Sequence, residues 1–474
     1  QPNIRVIEPV DVETTTDVDA AWTLATQFRD ASTRGALIRP DERAAVQLAR
    51  QMDATTPQET LLTSAIKEAH RGLLAQAEIL TRRYRVVIAN PPYLGTRHMG
   101  EALRDFAAAA YPMTKGDLCT MFLERSVEML CPHGIAALVT SESWFFNTSF
   151  EQTRQLLSSR ARLRSAVCID SKAFGVRLNT VATILEAGGT AGEATFTRVT
   201  SDDLREPGVA RLPVPDAPVY HLPLERFAQV PGGVYAFDMP EAMLALYANG
   251  RVLGDVFETR QGMATTDNGR FVRFWWEVSQ RDIGRHHNQA NASNPPWVPY
   301  NKGGTPVRWW GNQEHVVRWL DDARELREIG AKSLNQPRFF DSSVSWSNIG
   351  KGGARFRLYP PGFVFDVAGM SAFAPDEESQ LNLLGYLNAD VVTQALDVLA
   401  PTLNYQVGDV ARLPVPDMTH AADADRVREL IALARANWAE QETSHECTGS
   451  PLLAFRDLPL ESAVAQYLGQ FRVR

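Results

Sequence analysis

Four consecutive residues combine two hydrogen-bond acceptors with an aromatic ring: Asn90, Pro91, Pro92 and Tyr93. The Asn90 side chain carries one carbonyl oxygen, and the Pro91 backbone carbonyl supplies a second, held by a proline pair that lacks backbone donors. An exocyclic NH2 on a planar ring or amide is a poor nucleophile because its lone pair is delocalised. Two acceptors that bind its two hydrogens localise that lone pair, and the Tyr93 ring can stack on the ring that carries it. The tetrapeptide therefore predicts a site that activates a planar NH2 group without a proton-shuttling base.

The residues around the tetrapeptide predict an α/β fold. The apolar run 86–89 indicates a buried strand that places Asn90 at the carboxyl edge of a sheet, where open α/β folds bind ligands. Alternating strands and helices favour a sheet of buried, near-continuous apolar strands. Further strands are predicted at 135–140, 166–169 and 181–185, and helices at 100–110, 118–130 and 150–159. A helix is also expected from a Thr56 N-cap to Leu80, whereas residues 1–40 suggest loops around weak strands.

The tetrapeptide in this context resembles motif IV of the amino-methyltransferases that use S-adenosylmethionine, although turn chemistry after a strand is the plainer interpretation. The resemblance is closest to the gamma-type adenine-specific DNA methyltransferases. It implies catalytic roles for Asn90, Pro91, Pro92 and Tyr93, with Tyr93 stacking on the target base. It also implies a Rossmann-like methyltransferase sheet and S-adenosyl-L-methionine as the cofactor.

Three later segments extend the resemblance. Lys115–Leu118 is similar to motif V, which places Asp117 near the cofactor, while a helix N-cap is the structural alternative for this residue. Residues 134–144 resemble motif VI. Ala173–Gly175 resembles motif VIII, whose aromatic residue, here Phe174, packs on the opposite face of the flipped base; ordinary core packing is the alternative.

The glycine-rich cofactor loop that such enzymes place upstream of the Asn-Pro-Pro-Tyr strand has no match. Residues 1–89 contain only Gly35 and Gly72, so we expect that part of the cofactor site to lie outside a truncated or partly described polypeptide. The segment around Asp30 resembles motif III, in which an aspartate contacts the adenine of the cofactor; a loop carboxylate is the alternative. A permuted enzyme could instead carry the loop at Phe365–Ser371.

A second region, rich in Trp, Gly, Asn and Arg, resembles the target-recognition region of the PglX methyltransferases of BREX and phage-growth-limitation defence systems. The matching segments include 261–268, 271–273, 299–304, 309–312 and 401–409. Basic side chains between tryptophans and glycines suit phosphate contacts, and amide side chains suit adenine edges, although solvated surface is the alternative for each. The predicted DNA-binding residues are Asn268, Arg270, Arg273, Asn301, Lys302, Arg308 and Lys351, with Gln313 as a further amide that could read a base edge. The tryptophan pairs 275–276 and 309–310 are expected in the core.

The length of the chain, its composition and its Pro-rich segment predict several domains. The 474 residues, 44% of them hydrophobic, can bury a large core. A net charge of −8 restricts any DNA contact to a local basic patch. Four scattered cysteines predict neither a disulfide framework nor a metal site, and no apolar run is long enough to span a membrane, so we expect a cytoplasmic protein. The predicted divisions are a catalytic domain at 1–195, a Pro-rich connector at 196–240, a mixed α+β target-recognition domain at 241–420 and a helical segment at 421–474.

Together these patterns predict a DNA methyltransferase that transfers a methyl group to the exocyclic N6 of a flipped adenine and marks self DNA in a BREX-like anti-phage system. Double-stranded DNA is the expected partner, with other defence-system proteins as further candidates. Two alternatives stay open. One is a catalytically incomplete DNA-binding specificity subunit, and the other is a methyltransferase that acts on RNA or on a protein amide.

Overall fold

The computed structural model describes two compact units, residues 1–237 and 238–474, and each is treated separately below. The described residues are 18–54, 61–171, 178–189, 191–200, 203, 217–248, 250–284, 294–332, 337–348, 353–400, 404–416 and 424–471. The predicted base-packing residue Phe174 and the predicted DNA contact Lys351 lie outside these ranges.

The described part of the first unit, from residue 18, starts with helices, so the expectation of loops and weak strands before residue 40 was wrong for residues 18–40. These helices are α1 (Val18–Gln27), α2 (Ala31–Arg34), α3 (Glu42–Ala54) and α4 (Leu61–Thr81). Ala20, Leu24 and Phe28 recur every four residues and are all buried in one cluster between the helices. The spacing of these three residues indicates the buried face of a helix, although the acidic composition of the segment had suggested loops.

A mixed six-stranded sheet forms the centre of the first unit, in the order β1-β2-β4-β3-β5-β6. The helices predicted beside it are confirmed as α5 (Glu101–Ala110), α6 (Leu118–Glu128) and α7 (Glu151–Arg160). Parallel pairs join β1 to β2 and β3 to β5, whereas the β2–β4, β3–β4 and β5–β6 pairs are antiparallel. The strands are β1 (Tyr84–Ala89), β2 (Leu130–Ser141), β3 (Ala161–Ile169), β4 (Thr180–Ala187), β5 (Glu193–Val199) and β6 (Val219–Pro223).

Strand β1 is an edge strand in the described part of the sheet, and one of its faces is open. Val86 is 56% exposed and Ile88 is 79% exposed, although both were predicted to be buried. These two residues share one face because side chains alternate along a strand. The correction has a simple reason: an apolar run predicts a strand that suits burial on both faces, but it does not supply the elements that cover those faces.

The sheet continues into the segment expected to be a connector. Strands β5 and β6 both contain residues after 195, and β6 pairs antiparallel with β5. The compact unit closes only at Phe237. Pro223 of this segment therefore lies in an edge strand of the sheet, where proline is tolerated.

The second unit contains two four-stranded sheets, ordered β13-β9-β10-β8 and β12-β11-β14-β7. Its strands are β7 (Glu258–Arg260), β8 (Val272–Phe274), β9 (Trp297–Asn301), β10 (His315–Arg318), β11 (Ser343–Ser347), β12 (Phe356–Tyr359), β13 (Val364–Phe365) and β14 (Gly369–Phe373). Its helices are α8 (Glu241–Tyr247), α9 (Leu253–Val256), α10 (Asn268–Phe271), α11 (Leu320–Glu328), α12 (Glu377–Leu387), α13 (Asp390–Leu399), α14 (Val407–Ala411), α15 (Ala424–Ala439) and α16 (Leu460–Phe471). The helices after residue 420 thus belong to the same unit as these sheets.

The segment Phe365–Ser371 does not have the geometry of a cofactor loop. Strand β13 ends at Phe365 and strand β14 begins at Gly369, in the other sheet, so the chain passes from strand to strand. A dinucleotide-type loop instead opens a helix whose N-terminus faces the phosphate or cofactor. Gly369 is required for packing, because an added Cβ would lie 2.5 Å from the Asn301 backbone oxygen.

Candidate active site in the first unit

The Asn-Pro-Pro-Tyr segment follows the last residue of β1, as predicted. Ala89 lies opposite Leu138 of the parallel strand β2, so the tetrapeptide leaves the sheet at the carboxyl edge of both strands. Asn90 is exposed and Pro91 is buried. This combination fixes the backbone while leaving the Asn90 amide accessible to an incoming molecule.

Tyr93 turns back toward the strand that precedes it. Its hydroxyl donates to Asn90 Oδ1 at 3.2 Å and contacts the Val139 carbonyl oxygen at 3.4 Å. Burial raises the pKa of Tyr93 above its ordinary value, and the neighbouring Cys119 and Asp117 raise it further. Tyr93 is therefore a neutral phenol at physiological pH, and its donated proton occupies only one of the two lone pairs on Asn90 Oδ1.

A second segment holds the chain that follows Tyr93. The Leu94 amide donates to Asp117 Oδ1 at 3.2 Å, and the Leu118 amide donates to the Leu94 carbonyl at 3.0 Å. Thr96 Oγ1 donates to the Lys115 carbonyl at 2.6 Å. The segments predicted as motifs IV and V thus meet side by side, joined by backbone hydrogen bonds that leave little freedom for Tyr93.

Asp117 is the N-cap of α6. Its Oδ1 accepts the Cys119 amide at 2.9 Å, and Thr120 completes a capping box. Asp117 Oδ2 lies near Gly95, where an added Cβ would be 3.8 Å from that oxygen. The structural alternative for Asp117 is therefore realised, because its carboxylate caps α6 and also holds the Leu94 amide.

The nearby thiol is not a nucleophile. Cys119 is fully buried, and burial together with Asp117 raises its pKa far above neutrality. Nucleophilic cysteines instead carry a depressed pKa and are reachable by substrate. Covalent chemistry through Cys119 is therefore excluded at this site.

Asp30, the other predicted cofactor contact, is engaged elsewhere. Its Oδ2 forms an ion pair with Arg34 at 2.7 Å, one turn further along the chain. The side chain is 45% exposed at the start of α2 and makes no side-chain cap. This placement fits the loop-carboxylate alternative better than a binding role.

Neighbouring contacts anchor α6. Arg39 ion-pairs with Glu124 at 2.9 Å and with Glu128 at 2.7 Å, and its guanidinium lies 3.9 Å from the centroid of the Tyr111 ring. The Tyr111 hydroxyl in turn donates to the Leu37 carbonyl at 2.6 Å. These contacts connect the chain before α3 to the helix that Asp117 caps.

Most cations predicted to bind DNA in the second unit already have carboxylate partners. Arg270 pairs with Glu325 at 3.2 Å, Lys302 with Asp366 at 2.6 Å and Arg308 with Asp390 at 3.2 Å. Arg273 donates instead to the carbonyls of Gly269 and Val272. Asp366 is only 1% exposed, so Lys302 neutralises a buried charge and its role is structural.

Two of the three predicted amide readers, Asn301 and Asn268, differ in their exposure. Asn301 is 1% exposed, its Nδ2 donates to Ser345 Oγ at 2.6 Å, and its Oδ1 accepts the Gly303 amide. It is a core residue, because its polar atoms are used in joining the two sheets, and this corrects its prediction as a DNA contact. Asn268 is exposed at the start of α10 and accepts Thr265 Oγ1.

An exposed aromatic pair was missed by the sequence interpretation. Phe274 is 37% exposed and Trp276 is 44% exposed, and their rings stack at a centroid distance of 4.6 Å with an interplanar angle of 5°. The Trp275–Trp276 pair had been expected in the core. The available signal was the alternation of side chains along β8 and the turn after it. This alternation places Phe274 and Trp276 on one side of the chain and Trp275 on the other.

Comparisons with known proteins agree with the motifs. Residues 36–174 match the family described as Eco57I restriction-modification methylase. The chain is 29% identical over 426 residues to the adenine-specific methyltransferase PglX of Lacticaseibacillus casei (strain Zhang). It is also 29% identical over 400 residues to the adenine-specific methyltransferase BrxX of Escherichia coli O9:H4 (strain HS). The chain resembles the PglX-type adenine-specific methyltransferases. This confirms the resemblance inferred from the sequence.

The matches cover most of this chain but a minor part of each relative. They span 84% and 82% of the chain, and 35% and 32% of the two relatives, so the chain spans about a third of their length. Among solved structures, the type IIL restriction-modification enzyme MmeI in complex with DNA is 13% identical, with a TM-score of 0.49, over 77% of this chain and 52% of that chain.

Within the described ranges, no helix is long and apolar enough to cross a membrane. Those residues also contain no cluster of three or more His, Cys, Asp or Glu side chains suited to a metal ion.

Proposed function

We propose that this chain carries the target-amine site of an adenine-specific DNA methyltransferase. The observation that carries the proposal is the exposed Asn90 amide directly after β1. Pro91 next to it is buried, and the Tyr93 hydroxyl donates to Asn90 Oδ1 at 3.2 Å. The names of the relatives and of the matched family support adenine as the target and DNA as the polymer. Because the chain spans about a third of those relatives, the activity is proposed for the polypeptide that contains it.

The residues act on the adenine amine by hydrogen bonding and orientation. The free lone pair of Asn90 Oδ1 accepts one N6 hydrogen, and the Pro91 carbonyl accepts the other. The nitrogen lone pair is thereby turned out of conjugation and toward the electrophile. The neutral ring of Tyr93 stacks on the adenine, which must leave the duplex to reach this edge.

The methyl donor, S-adenosyl-L-methionine, supplies an electrophilic methyl carbon when it is bound. Asp117 fits a role in holding it, because hydrogen bonds from the Cys119 and Leu94 amides fix its carboxylate beside the segment that follows Tyr93. Asp30 fits less well, since Arg34 already neutralises it. The open edge of β1 and its exposed residues Val86 and Ile88 support a remaining part of the donor site on an element beside that strand.

The second unit is proposed to recognise the target sequence. Arg270, Arg273 and Asn268 lie close together in the sequence around α10, and two of them, Arg270 and Asn268, are exposed. Arg270 pairs with the partly exposed Glu325 carboxylate and Arg273 donates to backbone carbonyls, and phosphates can replace such partners of the two arginines at little cost in free energy. Marking of self DNA against phage is the biological role that the PglX resemblance suggests.

The test is methyl transfer from labelled S-adenosylmethionine to duplex DNA, with the modified base identified by mass spectrometry. It is run with this chain and with any longer polypeptide that its gene encodes. The expected product is N6-methyladenine, and Asn90→Ala should lower the rate at least about 100-fold, as the loss of a preorganised transition-state hydrogen bond does elsewhere. Asn147→Ala is the matched control, because Asn147 is also exposed in this unit and only caps a short turn.

Three results would contradict the proposal. Label on cytosine, on RNA or on protein would assign another substrate. Equal rates for Asn90→Ala and Asn147→Ala would remove Asn90 from the chemistry. DNA binding without any transfer, by both the chain and the longer polypeptide, would favour the specificity-subunit alternative.

A further inference from the structure

A small cavity of about 230 Å³ opens in the second unit, apart from any residue assigned to methyl transfer. Rings form its walls, namely Trp275, Trp310, Phe363, Pro299, Pro360 and Pro361. Pockets for drug-sized ligands measure roughly 300–1,000 Å³, so this cavity suits a single ring system.

One polar side chain in this cavity has no partner. Gln313 is only 3% exposed, yet among the described residues neither Oε1 nor Nε2 has a hydrogen bond. Trp310 Nε1 is likewise buried without an acceptor. Buried polar atoms are nearly always paired because leaving them unpaired is costly. One acceptor and two donors are therefore buried without partners in the cavity wall, and rotation of the Gln313 side chain toward a bound ligand would supply those partners.

The backbone that precedes Gln313 is held in an uncommon conformation by its neighbours. Trp309 and Asn312 have left-handed φ values of 70° and 60°, and Asn312 Nδ2 donates to the Gly303 and Thr305 carbonyls at 2.9 and 2.6 Å. The Tyr359 hydroxyl donates to the Asn312 carbonyl at 2.7 Å. Left-handed conformations of this kind persist only where the surrounding structure holds them, often at ligand sites.

Three titratable residues that line the cavity, Arg435, Glu446 and His315, together carry no net charge at physiological pH. Arg435 Nε donates to Glu446 Oε1 at 2.8 Å, so the two charges cancel. Burial lowers the pKa of His315, which keeps its imidazole uncharged. A neutral wall does not attract a phosphate, and an aliphatic ligand would leave Gln313 unpaired. A flat heterocycle with a donor and an acceptor on one edge satisfies both conditions.

The surroundings favour a base from a nucleic acid strand. The exposed Phe274–Trp276 stack lies next to the cavity, since the Phe274 ring centroid is 4.7 Å from that of His315. Stacked, exposed aromatic rings bind unpaired bases with little regard to sequence. A glutamine amide pairs with adenine through its N6 amine and N7.

We propose that the cavity beside Gln313, called here the Gln313 pocket, binds an adenine that has left its base pair, as a reader separate from the Asn90 site. Gln313 Oε1 accepts from the adenine amine and Nε2 donates to a ring nitrogen, with Trp275 and Trp310 against the ring. This role goes beyond the proposed methyl transfer and does not depend on it, because binding requires no methyl donor.

The test is fluorescence anisotropy of labelled duplexes that contain one unpaired adenine, one unpaired cytosine or no unpaired base. We expect the whole chain to bind the adenine duplex about ten-fold more tightly than the cytosine duplex, within the range of a bidentate amide contact. Gln313→Leu should abolish that preference, and Gln313→Glu should shift it toward cytosine, whose amine donates to a carboxylate. If Gln313→Leu does not fold, Gln313→Met provides the same test.

Two control variants isolate the pocket. Thr393→Val and Gln313→Leu each remove a buried, unpaired polar group of the same unit, so both should raise the melting temperature. Thr393→Val should nevertheless keep the adenine preference. Asn90→Ala removes only the proposed Asn90 site, so the part of the adenine preference that Gln313 provides should remain. Competition by adenosine would show that the free nucleoside is accepted too, and no competition would restrict the pocket to a base on a strand.

Two outcomes overturn the inference. A Gln313→Leu protein with the wild-type preference would mean that Gln313 does not read the base. A preference lost in Asn90→Ala but kept in Gln313→Leu would place the unpaired adenine in the Asn90 site alone. Failure of the methyl-transfer assay affects neither reading, since no donor is present here.

Discussion

Asp117 offers the sharpest test of whether one carboxylate combines a structural and a binding role. Its Oδ1 accepts the amides of Cys119 at 2.9 Å and Leu94 at 3.2 Å. Asp117→Ala removes an N-cap worth about 1 kcal/mol and a loop hydrogen bond of similar value. Local opening should then become easier by about 2 kcal/mol, which is about a 30-fold change. Asp117→Asn keeps an Oδ1 acceptor, so its effect on opening should stay below about 0.5 kcal/mol.

The assay is amide hydrogen exchange of peptides that contain Leu94 and Cys119. Exchange should accelerate about 30-fold in the Asp117→Ala protein, and little in the Asp117→Asn protein. Asp376→Ala is the matched control, because Asp376 caps α12 of the second unit through a 2.8 Å bond from the Ser379 amide. It should leave both reporter peptides unchanged.

Two results would refute the reasoning. Unchanged exchange in the Asp117→Ala protein would mean that the cap does not hold Leu94. Equal acceleration in the Ala and Asn proteins would mean that the negative charge at the helix N-terminus, and not the hydrogen bonds, provides the stability. The proposed donor contact is read separately: Asp117→Asn should weaken S-adenosylmethionine binding while exchange stays the same.

Three further predictions concern stability, and urea unfolding checks each of them. Gly262→Ala should destabilise the second unit by at least about 3 kcal/mol, because the added Cβ would lie 1.9 Å from the Phe365 carbonyl oxygen. Gly408→Ala, in α14 with nothing within 4 Å, should instead be neutral or stabilising, and a similar loss in both would refute the packing argument. Burial lowers the pKa of His315, so its protonation opposes folding: stability should be full above the unfolded pKa of about 6.5 and fall as the pH drops below it. His315→Gln should flatten that slope, and an unaltered slope would assign it to other groups. Arg39→Met should destabilise the first unit by about 1–2 kcal/mol, because it removes the shortest ion pairs of Glu124 and Glu128 and leaves them only the longer contacts with Arg160 and Arg125; an unchanged midpoint would show that these cations and water replace the Arg39 guanidinium without cost.

Local patterns were sufficient to propose the chemistry of Asn90 and to predict most elements of the first unit. Helices α5, α6 and α7 have clear periodicity and caps, and strands β1 to β4 are apolar runs bounded by turns. Such signals arise between residues a few positions apart, so they are present in the sequence itself. The acceptor pair of Asn90 and Pro91 is local in the same sense, since both belong to one rigid dipeptide.

Contacts between distant residues decided which of the other candidates remain available. The sequence predicted Asn301 as a base reader, but its amide donates to Ser345, 44 residues away. The sequence predicted Lys302 as a phosphate contact, but its charge is neutralised by Asp366, 64 residues away. Gln313 followed the opposite course: only the folded sheets show that its amide is buried and unpaired. The sequence by itself determined which functional groups exist and how β1 ends. The tertiary structure decided which of those groups are free, because hydrogen-bond partners and burial come from elements far apart in the chain.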